Sequence, residues 1–308
     1  MLLLDNSKSK TKLIKEVRFK SESAIQNFVS NHLQLLFGLQ IVSNEFTVKN
    51  LRIDTLAFDE ETNSFVIIEY KNTKSFSVVD QGVAYLSSML NHKADFILEY
   101  NENNNKSLTR KDIDWSQSKV IFISPYFNNY QKEAINFKDF PIELWQIKNY
   151  ENNQILINQV NVENTTESIN KVASKYKEVD KVKKEIKVYN EDYHLKDKSE
   201  EIKELYERIK DYLLSLDDNI KIKATKVYIS FTYNKKILLD ITPLKSKLKL
   251  WINKPYGTIN DEKNLYRDVS NTGHWGNGDY EVAISDDRYF EYIMAHIKDF
   301  YNELNSEQ

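Results

Sequence analysis

Two carboxylates and an amine, Asp54, Glu69 and Lys71, interrupt the apolar runs of the stretch IDTLAFDEETNSFVIIEYK at residues 53–71. A hairpin of 51–59 and 64–72, closed by a turn at Glu60–Asn63, pairs positions that sum to 123. Phe58 then faces Phe65, Leu56 faces Ile67 and Asp54 faces Glu69. Side chains alternate along a strand, so these pairs share one face, and Lys71 joins them there. Like charges on opposed residues about 5 Å apart repel each other. Burial among apolar neighbours raises that cost. A divalent cation offsets it, because Mg²⁺ takes hard oxygen ligands and is commonly held by one or two carboxylates. Such an ion acidifies a bound water and stabilises charge on a phosphoryl oxygen. An adjacent Lys71 positions the water or stabilises the transition state. These are the parts for phosphodiester hydrolysis. The structural alternative is an ion pair of Lys71 with one carboxylate, the other reaching solvent.

Residues 20–125 resemble the PD-(D/E)XK nuclease superfamily in the order helix, three strands, helix, strand, with Asp54 and Glu69-Tyr70-Lys71 on the second and third strands. The segment RIDTLAFDEETNSFVIIEYK is similar to branches found in restriction-type and repair endonucleases. The resemblance implies Asp54 and Glu69 as ligands of Mg²⁺ (or Mn²⁺), Lys71 as the catalytic lysine, and Glu22 on the first helix as a further member of the site. Ile53 stands where the superfamily name has Pro. The resemblance also brings Gln81 on the second helix toward a phosphate or a metal-bound water. Tyr85, four residues later, shares its face; it is either a substrate contact or a core residue with its hydroxyl at the rim. Lys74 is expected to meet DNA phosphate or to be solvated.

The elements that must position these groups follow from hydrophobic periodicity. Ile25, Phe28, Val29, His32, Leu33, Leu36 and Phe37 predict a helix from Glu22, stopped by Gly38. Strands are expected at 40–48, 51–58 and 65–72, then a helix at 77–91. The runs ADFILEY (94–100) and SKVIFISPYF (118–127) read as buried strands. A short helix near 128–137 and strands at 142–150 and 154–160 complete an α/β fold, a mixed sheet flanked by helices, over 1–160. The Lys-rich segment 1–20 reads as a loosely packed arm, and 161–198, rich in Lys, Glu, Asn and Asp, as a linker.

A smaller α+β domain is expected over 199–308. EEIKELYERIKDYLLSL is an amphipathic helix, followed by strands at 222–232, 236–242 and 247–253. A helical stretch at 260–270, a strand at 279–285 and a helix at 286–304 close the domain. Three of the chain's six glycines lie in NTGHWGNGDYEV (271–282), where His274 and Trp275 are candidate binding residues. The alternative is a tight connection with Trp275 in the core. This half is similar to an uncharacterised domain attached to predicted restriction proteins and to chains labelled predicted transport proteins. That similarity implies a recognition or regulatory module.

With no cysteine in 308 residues, disulfides, thiol catalysis and thiolate metal sites are excluded. No apolar run nears the roughly 20 residues of a membrane helix, so a soluble, cytoplasmic protein without a membrane partner is expected. A net charge of -3 argues against a tight non-specific DNA binder but leaves room for a local basic groove. No P-loop, HExxH or Gly-x-Ser-x-Gly motif occurs. The sequence thus points to a metal-dependent DNA endonuclease of restriction, phage defence or repair, with a homodimer as one arrangement. The second reading is an inactive nuclease fold that binds nucleic acid or a partner protein.

Overall fold

The computed structural model describes residues 3–6, 11–73, 77–135, 140–160, 182, 184–272 and 276–306. The chain divides into two compact units, Met1–Val188 and Tyr189–Gln308.

The first unit opens with β1 (Leu3–Asp5), β2 (Lys12–Ile14) and β3 (Glu16–Val17), then α1 (Glu22–Asn31) and α2 (Leu33–Phe37). The hairpin region follows as β4 (Gln40–Val48), β5 (Leu51–Asp59) and β6 (Ser64–Tyr70). Next come α3 (Val78–Asn91), α4 (Lys93–Asn104), β7 (Lys119–Ser124), α5 (Asn129–Ala134), β8 (Ile142–Tyr150) and β9 (Ile155–Gln159). A seven-stranded mixed sheet runs β3-β8-β7-β6-β5-β4, with β9 also on β8. The β4–β5–β6 pairs are antiparallel, and β6–β7–β8 are parallel. Parallel neighbours need crossovers, supplied by α3–α4 and by α5.

Both faces of this sheet are covered, so its central strands are apolar on both sides. One core joins Leu56, Phe58, Phe65 and Ile67 to Leu86, Met89 and Phe96 of α3 and α4. The other joins Ala57, Val66, Ile68 and Tyr70 to Ile25 and Val29 of α1. The β5–β6 hairpin has the expected register, Phe58 against Phe65 and Leu56 against Ile67. Its turn is held by the Asp59 carboxylate, which accepts the N–H groups of Glu61 and Thr62 at 3.0 and 3.3 Å.

The expected strand at 94–100 is instead α4. Phe96, Ile97 and Tyr100 are buried while Leu98 is 55% exposed, a helical and not an alternating pattern. Apolar density alone does not separate a short buried strand from a helix. Part of the expected loose arm is paired: β1 with β2, and β3 with the end of β8. Of the expected linker, 161–181 and 183 lie outside the described residues. Val182 and Ile186 are buried in the first unit's core.

The second unit contains α6 (Glu191–Leu195), α7 (Glu200–Leu216), β10 (Ile220–Ala224), β11 (Ile229–Tyr233), β12 (Lys236–Pro243), β13 (Leu248–Ile252), β14 (Arg267–Asp268), β15 (Tyr280–Ile284) and α8 (Phe290–Ser306). Its six strands form an antiparallel sheet in the order β10-β11-β12-β13-β15-β14, with α7 and α8 on its apolar face. The single strand expected at 222–232 is broken by a turn in which Thr225 Oγ1 accepts the N–H groups of Val227 and Tyr228. The helix expected at 260–270 is absent. There the Asp261 carboxylate holds a turn by accepting the Tyr266 N–H at 2.8 Å, and Asn264 takes a left-handed φ of 52°.

The described part of the glycine-rich loop is a close-packed connection. A Cβ at Gly276 would lie 2.4 Å from the Trp251 ring, and one at Gly278 (φ +91°) would lie 2.1 Å from the Ile252 carbonyl oxygen. Asn277 donates its backbone and side-chain N–H groups to buried Asp240 at 2.6 and 2.7 Å. No helix among the described residues is long and apolar enough to cross a membrane.

Candidate active site

The β5–β6 ladder runs from Asp59–Ser64 to Thr55–Ile68 and stops one rung before Asp54–Glu69. Beyond that point β6 stays with β7, where Glu69 is level with Phe122 and Tyr70 with Ile123. The two hairpin strands therefore part at their open end. Asp54 bridges the gap with its side chain: Oδ2 accepts the Tyr70 N–H at 3.0 Å. On the α1 side, Gln26 Nε2 donates to the Asp54 carbonyl at 2.7 Å. A backbone N–H and a carbonyl that lost their ladder partners are thus satisfied, as buried main chain requires.

The parting coincides with an irregularity in β4. Asn44 pairs with Thr55 and Phe46 with Ile53, so Glu45 stands opposite Asp54. Glu45 has a φ of 60°, in the left-handed region. That conformation costs a non-glycine residue roughly 1–2 kcal/mol. It reverses the pleat: Asn44 bonds Thr55 on the α1 side, whereas Phe46 packs edge-on to Phe96 on the other. Arg52, two residues before Asp54, forms an ion pair with the Glu45 carboxylate.

Glu69 is 3% exposed and its oxygens are engaged. Lys71 Nζ lies 2.6 Å from Oε1. Gln81 Nε2 stands 3.5 Å from the same oxygen. The Tyr85 hydroxyl lies 2.8 Å from Oε2 and 3.1 Å from the Arg52 carbonyl oxygen. Glu22, on the first turn of α1, accepts the Asn72 N–H at 2.9 Å. Asn72 Nδ2 donates to the Phe19 carbonyl at 3.1 Å, clipping the start of α1 to the end of β6.

Charge crowding follows from this geometry. Burial, with the negative charge of Glu22, holds the Asp54 proton above its ordinary range. Tyr70 N–H, Lys71 and Arg52 oppose that rise. Burial and then Asp54 raise Glu69, against the pull of Lys71 and Tyr85. Burial and Glu69 push the Tyr85 hydroxyl far up, so it stays a protonated donor. Behind the site the Tyr70 hydroxyl donates to Thr55 Oγ1 at 3.2 Å, and burial raises it to about 12.

Among the described residues, no three carboxylates or imidazoles are grouped as a ready-made metal cluster. The donor set nevertheless suits a hard divalent cation. Asp54 and Glu69 resist sharing two negative charges. Gln81, whose Nε2 stands 3.5 Å from Glu69, has a buried amide oxygen with no hydrogen-bond partner. An unpaired buried acceptor is rare and calls for a ligand or water.

Asp54, Glu69, Lys71, Glu22, Gln81 and Tyr85 are thus linked by direct contacts or by charge at the end of β6. Lys74, His274 and Trp275 lie outside the described residues. The expected direct rung between Asp54 and Glu69 is replaced by the side-chain bridge to Tyr70. Sequence reasoning missed Gln26, Arg52 and Asn72. Gln26 had a signal, because it lies four residues after Glu22 on one helix face; Asn72 had none.

The chain is 50% identical over 298 residues to a protein of Haemophilus influenzae described as uncharacterised, covering 97% of this chain and 98% of that one. At that identity and coverage the two belong to one family. Residues 191–302 match the domain of unknown function DUF5655. Among solved structures, a repair endonuclease from Pyrococcus abyssi aligns at 13% identity and TM-score 0.23, over 44% of this chain and 60% of that one. An EndoMS–double-stranded DNA complex aligns at 11% and 0.24, over 44% and 60%. The Ca²⁺ complex of Pyrococcus furiosus SfsA aligns at 13% and 0.25, over 46% and 63%. The chain thus spans less than two thirds of each, and scores this low carry no argument about activity.

Proposed function

We propose that the first unit is a metal-dependent endonuclease of PD-(D/E)XK type that hydrolyses DNA phosphodiester bonds. The observation that carries this reading is the pair of half-buried Asp54 and buried Glu69, both holding their protons above the ordinary range, with Lys71 on Glu69 and the unpartnered Gln81 oxygen alongside. Asp54, Glu69 and the Gln81 oxygen would hold Mg²⁺ or Mn²⁺, while Glu22, bound to the Asn72 N–H, adds negative charge nearby. Once bound, such an ion supplies an acidified water and charge stabilisation at a phosphoryl oxygen.

The remaining work belongs to the chain. Tyr70 N–H and Gln26 fix Asp54 from two sides, and Tyr85 fixes Glu69, so little reorganisation is needed at the reacting centre. Lys71 Nζ, 2.6 Å from Glu69 Oε1, would orient the attacking water and offset charge as the new P–O bond forms. The attacking water releases its proton to solvent, the opposite P–O ester bond breaks, and the leaving alkoxide takes a proton from solvent. We assign the second unit a recognition role and the chain to the cytoplasm, in restriction, phage defence or repair, with a homodimer for double-strand cutting.

One observation favours a binding-only reading: the Glu69 oxygens are already engaged by Lys71, Gln81 and Tyr85. Cleavage of plasmid, linear and single-stranded DNA with Mg²⁺, Mn²⁺ or EDTA separates the two. Metal-dependent cutting that falls at least about 10²-fold in Asp54→Ala and Lys71→Ala supports the nuclease. Cutting by Lys71→Ala at the wild-type rate rejects the assignment. DNA binding without cleavage under any metal favours the binder.

A further inference from the structure

Glu45 is the one residue whose backbone disfavours it directly opposite Asp54. A glycine takes a left-handed φ freely, whereas glutamate does so against its preference. Residues held this way persist where the surroundings demand them, and they cluster at functional sites. The contact that Glu45 makes is with Arg52. That guanidinium belongs to β5, two residues before Asp54, and its side chain remains 67% exposed. Its main chain is tied to the site, since the Tyr85 hydroxyl lies 3.1 Å from the Arg52 carbonyl oxygen as well as next to Glu69. Its charge is felt at the Asp54 carboxyl. An exposed arginine beside an acidic centre serves little structural purpose, because a surface pair contributes about 1 kcal/mol at most. As an anion contact it has the right form: a planar fork of donors matches two phosphate oxygens.

Resting on the nuclease reading, we propose that Arg52 binds a backbone phosphate of the nucleic acid next to the scissile one, and that Glu45 is a positioning residue that aims it. Without substrate the carboxylate holds the fork at the rim of the site. With substrate, the phosphate takes the fork's remaining donors. Arg52 would then offset part of the repulsion between DNA and the acids behind it, a role that the chain's net charge of -3 leaves to local groups.

The test uses the full chain carrying Lys71→Ala, with a fluorescein-labelled duplex and Mg²⁺, titrated over a range of KCl. Adding Arg52→Ala should weaken binding about tenfold and make the log–log salt slope shallower by about 0.9, the signature of one lost phosphate contact. Arg52→Lys should restore the slope but only part of the affinity, since a point charge replaces a fork. Glu45→Gly removes the backbone penalty, so it should keep the parent's Tm and still lose affinity. Combined with Arg52→Ala it should add no further loss, because it acts through Arg52. An Arg52→Ala chain with the parent's affinity and slope overturns the proposal while leaving the nuclease reading intact. A wild-type chain that neither cuts nor binds DNA overturns both.

Discussion

At the residue scale the site is a conflict between charge and burial. Asp54 and Glu69 hold their protons above the ordinary values of 3.8 and 4.5. The folded state then binds protons more tightly than the unfolded one. Stability contributed by these groups is greatest below the ordinary carboxylate pKa and is lost as pH rises through the raised folded values. Calorimetry should show the Tm of the first unit falling over that window. Asp54→Asn and Glu69→Gln should flatten the fall, and equal slopes in all three chains would contradict the crowding. Above the window, Mg²⁺ at a hundred times its Kd should restore about 2.7 kcal/mol, seen as a rise in Tm that Asp54→Asn abolishes. Tyr85→Phe removes the hydroxyl from Glu69 Oε2 and the Arg52 carbonyl, at a cost of about 1–3 kcal/mol. Urea titration reads that loss.

At the element scale, two departures from regular structure make the site. The left-handed Glu45 turns the pleat of β4, and the β5–β6 ladder stops before Asp54. A hairpin that stayed paired would have used the Tyr70 N–H in the ladder, leaving the Asp54 carboxylate without its anchor. Helix α4 carries its own test. As a helix it buries Phe96 and leaves Leu98 at the surface. Phe96→Ala should therefore cost about 3–5 kcal/mol, whereas Leu98→Lys should stay within about 0.5 kcal/mol. Comparable losses for the two substitutions would favour an alternating strand.

At the scale of the whole molecule, each unit has its own apolar core. The second joins α7 and α8 to its sheet through Tyr206, Ile209, Phe231, Ile293 and Ile297. Its six strands are all antiparallel, and β10 to β13 follow one another through short connections, whereas a longer segment carrying β14 joins β13 to β15. Residues 189–308 expressed alone should therefore unfold in one cooperative transition, monitored by far-ultraviolet circular dichroism. A non-cooperative melt would mean that the core needs the rest of the chain.

The amino-acid order alone determined the hairpin register, because alternation and turn chemistry leave one pairing that buries Leu56, Phe58, Phe65 and Ile67 together. It also singled out Asp54, Glu69 and Lys71 as candidates, since polar residues inside apolar strands stand out against their neighbours. It suggested a strand for ADFILEY, where seven apolar-rich residues fit either period; the packing of Phe96 and Tyr100 on the sheet makes that segment a helix instead. Asn72 and Arg52 were decided only by tertiary structure. Each is an ordinary polar residue in its own segment, and each meets the site through a strand or helix distant in sequence or through a kink in β4. The same holds for the missing last rung: which N–H the Asp54 carboxylate takes depends on how far β5 and β6 have parted.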